Sequence, residues 1–139
     1  MTNNMNLYLA SSFDEKRGFG AYCALYDLNG QHAMRAWRQQ GRGTPDSLAL
    51  ECTIDAITQI THCIPLTIHT TNAYLLKGCT EDAPRRRLAM QMEKPVPHVK
   101  LWVLVDRFID EWISQQVVLE WRQGSHPMIA NELKRLMLR

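Results

Sequence analysis

The apolar period of this chain changes at Gly41, and that change limits what it can fold into. Before it, "MNLYLASSFDEKRGFGAYCALYDLNG" alternates, with Leu7 and Leu9 facing one way and Tyr8 the other, and "DLNG" at 27–30 supplies a tight reversal into "QHAMRAWRQQ". Three antiparallel strands are predicted. After it, Leu50, Ile54, Ile57 and Thr61 in "GRGTPDSLALECTIDAITQITHC" fall on one helical stripe. That spacing predicts a helix of about four turns, with Thr44 or Asp46 as its cap and Pro45 in its first turn.

The β-branched run "IPLTIHT" follows with Ile64, Leu66 and Ile68 on one face. A strand entered directly from a helix implies a crossover and a parallel partner. Next come a short helix "NAYLLKG" stopped by Gly78, and a helix from about Pro84 to Met92 leading into a loop with two prolines. In "VKLWVLVDRFIDEWIS", Leu101, Leu104, Val105, Phe108, Ile109 and Trp112 recur at three- and four-residue intervals, with Asp106, Asp110 and Glu111 on the other side. "QVVLEWRQ" reads as a fifth strand and "HPMIANELKRLMLR" as a terminal helix. The fold class is therefore α/β: a central five-stranded mixed sheet, three antiparallel strands then two parallel additions, flanked by helices. With 139 residues, 45% of them hydrophobic, and no internal repeat or linker, residues 1–139 read as one domain.

A net charge of +2, from 16 basic and 14 acidic side chains, gives no global signature of nucleic-acid binding, so any such case is local. Cys23, Cys52, Cys63 and Cys79 are widely separated and read as reduced core thiols rather than a zinc site or disulfides. Trp37, Trp102, Trp112 and Trp121 read as packing residues. His32, His62, His69 and His98 show no metal-ligand spacing, and "GSHP" lacks an orienting acid for a Ser125–His126 nucleophile pair. The chain has no apolar run of membrane-spanning length and its start lacks the pattern of a secretory signal, so a soluble, cytoplasmic protein with no membrane partner is expected.

Four phrases, in order, resemble the type 1 ribonuclease H family over nearly the whole chain: "LYLASSFDEKRGFGAYCALY", "TPDSLALECTIDAI", "TIHTTNAYLLKGC" with the later "VKLW", and "LEWRQGSHP". The resemblance implies the ribonuclease H fold. It also implies a site in which four acids hold two divalent cations, one activating water and the other stabilising the leaving oxygen of a phosphodiester. Carried over by position, the first-strand aspartate falls on Ala10, the helix glutamate on Ala49, the parallel-strand aspartate on Thr71 and the terminal-helix aspartate on Asn131. The loop histidine falls on Ser125, beside His126, in a loop about two residues short.

None of these positions is a carboxylate. Two divalent ions about 4 Å apart repel by roughly 17 kcal/mol at an effective dielectric of 20, which anionic ligands have to offset. Mg2+ binding is therefore expected to be lost, with no catalytic residue and no metal site retained. Glu132, adjacent to Asn131, is the best candidate for a rescuing acid, whereas Glu51 lies two residues past Ala49 and points away.

Nucleic-acid contacts in the family imply candidates here. Thr44, Asn72 and Gln123 are polar at or near the groove-reading places, and Arg85, Arg86, Arg87, Lys94 and Lys100 occupy the region of the family's basic protrusion, without its tryptophans. The function expected is a catalytically inactive ribonuclease H-like domain acting as a binding module for nucleic acid, either an RNA/DNA hybrid or a duplex. The alternatives are a protein-interaction or dimerisation module using an open sheet edge, and a residual metal-dependent ribonuclease with atypical ligands.

Overall fold

The computed structural model describes residues 4–41 and 43–138. Strands β1 (Met5–Asp14), β2 (Phe19–Leu28) and β3 (Gln31–Gln40) form an antiparallel meander. β4 (Leu66–Thr70) adds to β1 in parallel and β5 (Leu119–Gln123) to β4 in parallel, giving the sheet order β3-β2-β1-β4-β5. The β2–β3 reversal rests on Asn29 and Gly30, at φ 54° and 85°, the two positive values that a twist-matched two-residue hairpin requires.

The period-two alternation divides the residues of the sheet between two cores. Leu7, Leu9, Tyr22, Ala24 and Tyr26 pack with α1 (Pro45–Thr58) and α4 (Val99–Ser114). On the opposite face Tyr8, Ala10, Cys23 and Leu25 meet Ile129 and Leu136 of α5 (Pro127–Met137). Two shorter helices, α2 (Ala73–Gly78) and α3 (Ala83–Gln91), join β4 to α4. No described helix is long and apolar enough to cross a membrane.

Thr44 caps α1 through a box in which its hydroxyl accepts from the Ser47 N–H at 3.0 Å while Ser47 Oγ accepts from the Thr44 N–H at 2.9 Å. Pro45 opens the helix, and Thr61 lies beyond its end, off the expected stripe.

Two local expectations are corrected. Gly78 is the last residue of α2, and the cap residue after it, Cys79, is right-handed, so Gly78 does not end the helix by a left-handed turn. Its function is space: a Cβ there would lie 2.4 Å from Cη2 of Trp102, a fully buried side chain. Asp106 belongs to the buried side of α4, only 7% exposed, and Leu104 is 37% exposed. Apolar spacing cannot register a buried carboxylate whose partner is on another helix.

Candidate nucleic-acid interface

The parallel register sets Leu9 beside Thr70, so the end of β4 lies next to Ala10 in the middle of the longer β1. The N-terminal half of α1 closes the third side. The result is a cleft of about 160 Å3, lined by Ala10, Ala49 and Thr71 together with Leu9, Ser11, Pro45, Cys52, Thr70, Asn72 and Leu75. Three of the four positions implied for metal-binding acids thus share one cleft. Asn131 does not line it: it lies two residues past the buried Ile129, about 200° around α5, and is exposed. Ser125 is exposed in the β5–α5 loop, while His126 caps α5 by accepting the Met128 N–H on Nδ1 at 3.1 Å.

The donor set of this cleft does not fit a pair of divalent cations. Ala10 and Ala49 present methyl groups, and no lining residue carries a carboxylate. Cys52, 1% exposed, bonds through Sγ to the Cys23 carbonyl at 3.4 Å. Burial, reinforced by Cys23, pushes its thiol well above the ordinary cysteine range, which favours a protonated donor over a metal-binding thiolate. Among the described residues no three His, Cys, Asp or Glu side chains gather as a metal-ligand group. Glu132 does approach the Ala10 row. Cys23, paired with Ala10 across the sheet, has its thiol pushed up to about 11, first by burial and then by the Glu132 charge. The Glu132 carboxylate is, however, forked onto Arg135, with Nε at 3.0 Å from one oxygen and a terminal nitrogen on the other.

The candidate contact residues divide by what already holds them. Asn72 caps α2, its Oδ1 accepting the Leu75 N–H at 2.8 Å, and its Nδ2 reaches Asp46 Oδ1 at 3.4 Å. Thr44 is engaged in the α1 cap. Arg86 leaves the solvent-facing set: its guanidinium forks onto both Asp106 oxygens at 2.8 and 2.9 Å, and its Nε donates to the Gly78 carbonyl at 3.1 Å. Arg87 binds Asp110 at 2.7 Å, which raises the basicity of its guanidinium. Arg85, whose side chain is 82% exposed, pairs only at the surface with Asp82, and Lys94, Lys100 and Gln123 are exposed. Three adjacent arginines in sequence therefore play three different parts, because α3 turns each by 100°.

A further basic group escaped the sequence reading. Arg17 and Arg38 lie over the ring of Phe19, 5.1 and 4.8 Å from its centroid, and Arg17 also donates to the Met137 carbonyl at the end of α5. With Lys16, also exposed, they form a cationic rim at the β1–β2 turn, on the side toward which β1 runs past Ala10. Only the turn "RGFG" signalled this place in the sequence; the approach of Arg38 depends on β3 pairing.

No protein-family model matches the sequence, and no curated protein matches it. Solved structures do. The chain is similar to LC9-RNase H1, a type 1 RNase H with the type 2 active-site motif, at 17% identity and TM-score 0.67, over 98% of this chain and 71% of that one. It is similar to LC11-RNase H1, solved in complex with an RNA/DNA hybrid, at 11% identity and TM-score 0.61, over 97% and 99%. RNase H1 from the halophilic archaeon Halobacterium salinarum matches at 13% identity and TM-score 0.57, over 94% and 90%. Sheet order, helix placement and these superpositions agree: the chain has the ribonuclease H fold.

Proposed function

We propose that this chain is a catalytically silent ribonuclease H-fold domain that binds nucleic acid, an RNA/DNA hybrid or a duplex. The observation that carries the reading is the cleft itself, where Ala10, Ala49 and Thr71 converge without a carboxylate. Loss of acids from this surface also removes charge repulsion toward phosphate. Similarity to a ribonuclease solved with an RNA/DNA hybrid supports the ligand class. Arg85, Lys94 and Lys100, with the Lys16–Arg17–Arg38 rim, supply cations for backbone contact, and Thr71 and Gln123 supply polar groups; Arg86 and Arg87 are structural.

Titration of labelled RNA/DNA hybrid, DNA duplex and single strand at low and moderate salt tests the reading. Binding tighter than about micromolar, weakening steeply with salt, is expected for phosphate contacts. Failure of all three ligands to bind at that level removes nucleic acid as the partner.

A further inference from the structure

Among the described residues, one edge of the sheet is blunted against pairing by charge alone, at Arg35 and Arg38. β3 is the outer strand, ten residues long, and its register against β2 runs from Phe19↔Gln40 to Leu28↔Gln31 without a bulge. It contains no proline. Residues 31–36 are exposed, Met34 at 40%. Among the described residues no backbone hydrogen bond reaches its outer side. Long, unbulged edges are pairing templates, and natural domains normally shorten, bulge, charge or cover them.

Beside this edge lies a pocket of about 400 Å3 on the α1 face. Tyr26, Leu28, Ile60 and Ile64 give it an apolar wall, and β3 itself contributes Ala33 and Arg35 to its rim. An added strand presents alternate side chains to the two faces of a sheet, so every second residue of a strand docked on β3 would point toward this pocket. The charge of the edge selects the partner further. From Gln31 to Gln40 there is no acid, and Arg35 and Arg38 point to opposite faces because they are three residues apart.

We propose that β3 is a docking edge for an extended, acidic segment of another protein, which adds a sixth strand and places an apolar side chain in the Tyr26–Ile64 pocket. This goes beyond the nucleic-acid reading and uses a different surface. A second copy of this chain fits poorly: pairing β3 with β3 sets the arginines of both copies in one ladder with no acid to answer them, and like charges directly opposite are destabilising. A phosphate backbone fits poorly as well. The outer edge offers carbonyl oxygens alternating with N–H groups, and a polyanion has no donor for the carbonyls.

The test is selection of ten-residue peptides from a display library against the whole chain. Alternate library positions vary among Glu, Asp, Lys and Ser, and the intervening ones among Val, Ile, Tyr and Lys. The expected outcome is enrichment of acids alternating with apolar residues. A synthetic winner then protects β3 amides in hydrogen exchange, loses about fivefold in affinity with Arg38→Glu, on the face its acids share, by the size of cross-strand charge terms, and loses binding with Met34→Pro. Circular dichroism checks that both variants are folded; Arg38→Glu, at an exposed site, keeps the test decisive if Met34→Pro is not. No enrichment, selection of basic peptides, or protection confined to other strands overturns the proposal. So does concentration-dependent self-protection of β3 without peptide, which assigns the edge to a second copy, or protection of β3 by an RNA/DNA hybrid, which assigns it to nucleic acid.

Discussion

Arg86 lies over Trp102, its guanidinium carbon 3.8 Å from the ring centroid, while the same group forks onto Asp106. Side-chain exposures of 8% and 11% mark this as a buried pair joining α3 to α4, on a tryptophan that fills the space left by Gly78. Removing one partner of a buried pair strands the other charge, at a cost of up to about 3–5 kcal/mol, here lessened because Arg87 Nε stays 3.6 Å from Asp106. Arg86→Ala is therefore expected to lower the urea midpoint strongly. Arg86→Lys is not expected to restore it, since an ammonium cannot fork or stack. Arg86→Ala combined with Asp106→Ala should cost less than the two single changes summed.

Gly78→Ala gives a prediction whose sign decides. At an unconstrained helical position alanine gains roughly 0.5–1 kcal/mol over glycine. Here the added methyl meets Trp102, a fully buried ring, at 2.4 and 2.5 Å. Overpacking of that kind costs about 1–3 kcal/mol, so denaturant titration should show destabilisation.

A histidine on the open face of β4 makes stability pH-dependent. His69 stacks on Tyr8 at 4.4 Å and bonds Asn6 through Nε2 at 3.0 Å, with His126 in a T-shaped contact with Tyr8 at 5.1 Å. Burial first, and the Arg122 cation second, hold its pKa below the ordinary 6.5. The unfolded chain then binds the proton more readily than the folded one. The His69 contribution is complete above 6.5 and declines as pH falls from 6.5 toward the lower folded value. Melting at pH 7.5 and 5.5 should show this loss, and His69→Phe, which keeps a ring on Tyr8, should flatten that part of the profile.

Salt dependence separates the cations that meet phosphate from the structural ones. Each phosphate contact contributes about −0.9 to the slope of log K against log salt. Lys94→Gln and Lys100→Gln should each weaken hybrid binding and reduce the slope by about one where they touch phosphate. Fluorescence anisotropy at four salt concentrations measures both quantities.

The element order was legible in the sequence because its period changes are sharp: alternation through β1–β3, helical spacing from Leu50, and a strand straight after α1. The convergence of Ala10, Ala49 and Thr71 was also anticipated, through family resemblance rather than spacing. What escaped was long-range. Asp106 read as solvent-facing because its partner Arg86 is twenty residues away on another helix. Gly78 does end α2, as the sequence reads, but the space it leaves for the Trp102 ring is invisible to local rules. Asn72 read as a contact residue although its amide is already used in capping α2. Asn131 was grouped with the cleft by its place in the sequence, and the rotation of α5 turns it elsewhere.

Binding and cleavage of one labelled RNA/DNA hybrid, followed in the same reaction with Mg2+, with Mn2+ and with chelator, test the central claim most directly. A scaffold that keeps its ligand and has lost its chemistry should give a shifted, intact hybrid in all three conditions, with affinity indifferent to the metal. Hybrid cleavage in Mg2+ or Mn2+ that disappears with Glu132→Ala would contradict it, and would assign the Glu132 carboxylate to a working metal site.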